Sequence, residues 1–240
     1  MKQSVTLSVV IPVKNEEENI QHLCEELFSV LKEIDEPFEV VIVDDGSTDG
    51  TLPLLEKLSS QSKELRFLSF DKNYGQTAAF LAGFRAATGE WVITLDGDGQ
   101  NDPHDIPKLL ALRNEADLVV GRRKKRKDTL SKRVISRVAN AVRSRLCDDG
   151  VDDTGCSLKL FRKSALQQIK LFRGMHRFFP ALFRMEGFRV LQVDVNHRPR
   201  LKGKSNYNIF NRSINPIIDL LAVWWMRKRK VEPKIVKGKI

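Results

Sequence analysis

The 240-residue chain predicts an α/β protein built on a mostly parallel sheet covered by helices on both faces, and three observations carry that expectation. Short, nearly continuous apolar runs alternate with longer stretches of helical periodicity through the first hundred residues, the pattern of strands buried on both sides. Two of those runs end abruptly in acidic, glycine-containing clusters, Asp44-Asp45-Gly46-Ser47 and Asp96-Gly97-Asp98-Gly99-Gln100. The composition is that of a globular domain, 41% hydrophobic and 30% charged, long enough to bury a core without disulfides or metal clips.

In order along the chain, residues 8–12 read as a first buried strand. Residues 18–34 follow with Ile20, Leu23, Cys24, Leu27, Leu31 and Ile34 at helical spacing. A second strand covers 38–43, a helix 51–58 and a third strand 65–70. An Ala-rich helix over 76–87 is closed by Gly89. The fourth strand is 91–95 and the fifth 117–121. Beyond them, 122–127 are six consecutive basic residues, 130–146 have a helical pattern, and 157–161 and 188–195 read as strands. Residues 178–183 are aromatic and interrupted by Pro180, and 209–226 place Trp224 and Trp225 beside a basic cluster. That last segment has the character of an interfacial amphipathic helix, too broken by Asn215, Pro216 and Asp219 to span a bilayer. The expected division is a catalytic domain over 1–208 and an amphipathic, basic tail over 209–240.

Charge is divided between the halves. Residues 1–120 carry 10 Lys and Arg against 22 Asp and Glu, a net of −12; residues 121–240 carry 31 against 9, a net of +22. A basic half attracts phosphates or an anionic membrane surface, and a carboxylate-rich half can hold a cation. A nucleic-acid-binding module explains the basic half alone, so no nucleic acid is expected as partner. A signalling receiver domain explains one acidic cluster and leaves the other without a role. Three cysteines with no CxxC pair, and no signal-peptide pattern at the start, favour a cytoplasmic setting.

In open parallel sheets ligands sit at the carboxyl ends of the strands, where both acidic clusters fall. Asp-Gly pairs are also ordinary turn formers, which accounts for either cluster alone but less readily for two on one edge. Asp98 and Gln100 offer oxygen ligands to a hard divalent cation and leave positions for substrate phosphates. Asp45 can accept hydrogen bonds from a nucleobase or ribose.

Val9-Val10-Ile11-Pro12-Val13-Lys14-Asn15-Glu16, then VDDGSTDGT at 43–51, Asn73-Tyr74-Gly75, and LDGDGQNDP at 95–103 together resemble the family 2 glycosyltransferases, whose fold is GT-A. Gly121-Arg122-Arg123, Asp153-Thr154-Gly155-Cys156 and the stretch Arg200 to Tyr207 look like the subgroup of dolichol-phosphate mannose synthases and bacterial polyprenyl-phosphate sugar transferases. The resemblance covers roughly residues 5–225. It implies that Pro12, Lys14, Glu16, Val43 and Asp45 line the nucleotide, that Asp96 and Gly97 face ribose and phosphates, and that Asp98 and Gln100 hold Mg²⁺ or Mn²⁺. Arg123, Lys132, Arg133, Ser136 and Arg200 would meet donor or acceptor phosphates. Asn206 stands where the family often has lysine, leaving Lys202 and Lys204 as substitutes.

The implied reaction is metal-dependent, inverting transfer of a hexose from a GDP- or UDP-sugar to a polyprenyl phosphate at the cytoplasmic membrane face. An acceptor phosphate is already ionised, so a general base is less needed than for a hydroxyl. Asp153 is expected as a positioning residue or base, or else as a turn carboxylate pairing with an arginine. The alternative activity uses a saccharide or glycolipid hydroxyl as acceptor. Oligomeric state is left open, a homo-oligomer included.

Overall fold

The computed structural model describes residues 5–123, 143–170, 172–200 and 215–231. Its seven-stranded sheet has the order β3-β2-β1-β4-β6-β5-β7. The strands are β1 (Leu7–Val13), β2 (Phe38–Asp44), β3 (Leu65–Ser69), β4 (Trp91–Thr94), β5 (Leu118–Arg123), β6 (Lys159–Arg162) and β7 (Val190–Val195). The helices are α1 (Ile20–Ile34), α2 (Thr51–Gln61), α3 (Gln76–Ala86), α4 (Ile106–Leu110), α5 (Lys163–Leu166), α6 (Phe179–Met185) and α7 (Asn215–Arg229).

Strand β1 is the centre of the N-terminal half, parallel to both β2 and β4, with Val10 opposite Val41 and Thr94. Side-chain alternation along these strands divides the interior in two. Leu7, Val9, Ile11 and Val13 pack with α1 and α4, whereas Val10, Val41, Val43 and Val92 pack with α3, α6 and Val223 of α7. The second layer is closed by aromatic contacts among Phe84, Phe161 and Phe179, with ring centroids 5.0 to 5.9 Å apart. This confirms an α/β sheet covered on both faces, and it puts the carboxyl ends of β1, β2 and β4 side by side.

Two elements differ from the sequence reading and a third is described only in part. Strand β6 runs antiparallel between β4 and β5, a reversal that a four-residue strand does not announce. The aromatic stretch holding Pro180 forms α6; the proline sits in the first turn, where its missing N–H costs nothing. Residues 143–147 are helical, while the rest of the helix expected over 130–146 lies outside the described residues. All three cysteines are free and buried.

Candidate active site at the strand ends

A cleft of about 1020 Å³ opens at the carboxyl ends of β1, β2 and β4 and is walled on its far side by α6, α7 and the chain after β7. Its first wall is built by loops that fasten one another. The Asn15 amide donates to Ser47 Oγ at 2.9 Å and the Asn15 side chain accepts from the Thr48 amide at 2.8 Å. Glu17 accepts from the Gly50 amide at 2.6 Å. Gly46 adopts φ +66°, and a Cβ there would collide with the Lys72 backbone, so the turn after β2 accepts only glycine.

The two adjacent aspartates of this turn do different things. Asp44 is turned into the protein, accepting from the Ser47 amide at 3.0 Å and from Ser69 Oγ at 2.8 Å. Asp45 lines the cleft and accepts from the amides of Tyr74 and Gly75 at 2.7 and 2.9 Å. Burial outweighs those two donors and raises the Asp45 pKa above the usual carboxylate value.

The second acidic cluster forms the floor. Asp96 accepts from Gln76 Nε2 at 2.9 Å and from the Ser157 hydroxyl. Burial, reinforced by the charge of Asp98, pushes its pKa up even though Ser157, Lys159 and Arg123 pull the other way. Gly97 lies so close to β1 that a Cβ would come within 2.6 Å of Val13 Cγ1. Asp98 Oδ1 accepts from the Gln100 amide at 3.1 Å, and its Oδ2 lies 3.2 Å from Arg200 Nη2. The same guanidinium nitrogen is 3.3 Å from Glu16 Oε1. Glu16 also holds Asn19 at 2.6 Å, and burial raises its pKa.

The C-terminal half supplies the cations. Arg123 grips Asp153 in a two-pronged pair, Nε to Oδ2 at 2.7 Å and Nη2 to Oδ1 at 2.8 Å. Desolvation works against the Arg123 charge, and the Asp153 carboxylate more than restores it, raising the guanidinium pKa. Lys159 is buried beside them, donates to the Cys156 carbonyl, and has its pKa lowered by burial. Behind the floor, Arg198 ties Glu26 (2.8 and 2.9 Å) to Asp102 (2.6 Å) and donates its amide to the Gln100 carbonyl at 2.9 Å. Glu26, Asp102 and His104 could together offer ligands to a metal, but the Arg198 guanidinium already balances the two carboxylates.

Of the residues singled out in the sequence, Pro12, Lys14, Glu16, Asp45, Asp96, Gly97, Asp98, Gln100, Arg123 and Arg200 all line this cleft. Val43 does not: its side chain is fully buried in the core layer under α3. Asp153 reaches the cleft through Arg123, beside the lining residues Thr154 and Gly155. Lys132, Arg133, Ser136, Lys202, Lys204 and Asn206 lie outside the described residues. Sequence reasoning missed Gln76, Lys159, His176 and Arg177, which also line the cleft and belong to no motif.

The model of glycosyl transferase family 2 matches residues 8–170, which carry the floor, the Asp45 turn and Arg123. The chain belongs to that family. It is 40% identical over 237 residues to dodecaprenyl-phosphate galacturonate synthase of Rhizobium johnstonii, covering 96% of this chain and 70% of that protein. It is 36% identical over 218 residues to undecaprenyl-phosphate 4-deoxy-4-formamido-L-arabinose transferase of Proteus mirabilis, covering 90% and 67%. This family 2 glycosyltransferase thus resembles polyprenyl-phosphate sugar transferases. Its GT-A fold matches glucosyl-3-phosphoglycerate synthase of Mycobacterium tuberculosis, solved with Mn²⁺, UDP and phosphoglyceric acid, at a TM-score of 0.68. That match has 18% identity and covers 95% of this chain and 80% of the other.

Proposed function

We propose that this glycosyltransferase moves a hexose, with inversion, from a nucleotide-sugar to a polyprenyl phosphate at the cytoplasmic face of a membrane. The observation that carries this reading is the juxtaposition, in one cleft, of an acidic floor with Arg123 and Arg200. A nucleoside diphosphate and an acceptor phosphate need both: carboxylates to hold a cation against the diphosphate, and guanidinium groups to bind phosphate oxygens directly. The sequence relatives named above support the acceptor class.

The donor set of Asp98 and Gln100 suits Mg²⁺ or Mn²⁺, since both offer hard oxygen atoms and both line the cleft. A cation bound there supplies Lewis-acid stabilisation to the departing diphosphate. The chain's own residues do the rest. Lys14, Glu16 and Asp45 hold the nucleotide, and Arg123, fixed by Asp153, meets phosphate. An oxygen of the lipid phosphate attacks the anomeric carbon as the bond to the nucleoside diphosphate breaks.

The saccharide-hydroxyl alternative requires a base. The polyprenyl-phosphate relatives named above favour an acceptor already ionised at neutral pH, which needs none.

The membrane reading rests on α7. Ile217, Ile218, Leu221 and Trp225 are each at least 50% exposed, and Arg227, Lys228 and Arg229 follow in its last turn. Among the described residues no helix is long and apolar enough to cross a membrane. An apolar stripe ending in cations suits the surface of an anionic leaflet, where each Lys or Arg contributes about 1 kcal/mol.

Thermal-shift screening of UDP- and GDP-sugars with and without Mn²⁺ tests the donor half, because the right donor raises Tm by mass action. Transfer to a short polyprenyl phosphate tests the acceptor. Co-sedimentation with anionic but not neutral liposomes tests the surface. Failure of every nucleotide-sugar to shift Tm overturns the proposal.

A further inference from the structure

His176 has no task in the reaction as just described. It lies in the 3-10 turn Met175–Arg177, lines the cleft, and joins α3 through a 3.1 Å contact between its Nδ1 and the Thr77 hydroxyl. That hydroxyl already accepts the Gly174 amide at 3.0 Å, so its own proton is available to Nδ1. In the tautomer in which Nδ1 accepts that proton, the ring hydrogen sits on Nε2. Burial, with help from the charges of Arg177 and Lys159, pushes the imidazole pKa down to about 3, so the ring is neutral at physiological pH. No hydrogen bond to Nε2 is formed among the described residues, although the ring borders the cleft.

The preceding residue on α3 is a second observation. Gln76 reaches Asp96 Oδ1 at 2.9 Å, so a single turn of α3 fixes both the acidic floor and the imidazole. The sector of the cleft beside them is shared with Phe178 and Phe179.

We infer that His176 donates a hydrogen bond from Nε2 to a hydroxyl of the transferred sugar, with Thr77 as the positioning residue that fixes its tautomer. This rests on the donor reading above. The ligand class follows from charge. Phosphate oxygens are better met by Arg123 and Arg200, which border the same cleft, whereas a neutral N–H matches a neutral hydroxyl. In a nucleotide-sugar, a neutral oxygen beyond the diphosphate belongs to the sugar ring.

The experiment compares the nucleotide-sugar selected by thermal shift with its sugar-free nucleoside diphosphate, UDP or GDP, by titration calorimetry and steady-state transfer. His176→Phe keeps an aromatic ring and removes both nitrogens; His176→Gln keeps an N–H donor; Thr77→Val removes the orienting hydroxyl. His176→Phe should bind the nucleoside diphosphate within about twofold of wild type, lose the added affinity that the sugar confers, and transfer roughly 10- to 100-fold more slowly. His176→Gln should recover part of that loss and Thr77→Val should fall between. Equal loss of nucleoside diphosphate and nucleotide-sugar affinity in His176→Phe would mean a structural role and overturns the inference, as does unchanged transfer. Wild type that binds no nucleotide-sugar overturns the proposed function itself, a result separate from the variant comparison.

Discussion

Strand β2 carries one buried carboxylate near its start, Glu39, and another just past its end, Asp45. Glu39 accepts from Ser8 Oγ, from the amide and hydroxyl of Thr88 and from Arg66, all at 2.6 to 2.8 Å. Burial alone would raise its pKa, but these donors win and hold it below 4.5. Asp45 has only backbone amides, burial wins, and its pKa rises; Glu16 and Asp96 share that fate. At the closed end of the sheet the protein satisfies its own charge. At the cleft end it holds carboxylates whose ionisation is incompletely compensated, the condition expected where a ligand brings the missing partner.

The signs of the pH dependence differ accordingly. The Glu39 contribution is complete above its unfolded pKa and is lost as pH falls through its lower folded value. The raised pKa values of Asp45, Glu16 and Asp96 mean stability that is present below their unfolded values and is lost as pH rises through the folded ones. In the unliganded protein these three carboxylates therefore subtract from stability as pH rises through their folded values.

The largest effect should come from Asp98→Asn, a nearly isosteric change that weakens cation binding. Transfer should fall by roughly a thousandfold or more, with Tm within a few degrees of wild type. Near-normal turnover at limiting Mn²⁺ would remove Asp98 from the metal site. Next is Arg200→Ala, which takes away the guanidinium that faces both Glu16 and Asp98. Turnover with a short, water-soluble polyprenyl phosphate should drop by about 100-fold, of order 3 kcal/mol. If only Tm falls, Arg200 is a structural counter-ion, as Arg66 is to Glu39.

Glu39→Gln probes the other end of the strand. It should lower stability by about 2 kcal/mol at pH 7 while leaving turnover per folded molecule unchanged. Urea unfolding at pH 7 and pH 4 gives the decisive measurement, because the deficit should shrink on acidification. A deficit independent of pH would show that lost packing, and not the Glu39 charge, is responsible.

This contrast was only partly legible in the sequence. The strands were readable because burial on both faces demands continuous runs such as Val40 to Val43, and the acidic floor because it terminates such a run. Glu39 gave no signal: a single acid inside an apolar strand is uninformative until Ser8, 31 positions away, and Thr88, 49 positions away, are brought to it. His176 was hidden for the same reason, since its partner Thr77 is 99 positions distant. Strand β6 carries too few residues to declare its direction, and Pro180 concealed α6 because a proline in a first turn looks like one that breaks a helix. Family resemblance supplies expected roles for individual residues where periodicity supplies none.

The finest test lies between neighbours. Asp44 and Asp45 are adjacent and chemically identical, yet one faces Ser47 and Ser69 and the other borders the cleft. Asp44→Asn should cost about 1 kcal/mol of stability through a weakened hydrogen bond, leaving nucleoside diphosphate affinity within about twofold. Asp45→Asn should do the reverse. Affinity should fall about tenfold, equivalent to ~1.4 kcal/mol, while Tm barely changes, because removing an under-compensated charge offsets the weaker bonds to Tyr74 and Gly75. Calorimetric titration and chemical denaturation of the two variants measure both quantities. Should Asp44→Asn weaken the nucleotide as much as Asp45→Asn, the geometry of the turn and not the Asp45 carboxylate would set affinity, and the division between satisfied and ligand-facing carboxylates would fail at the place where it is sharpest.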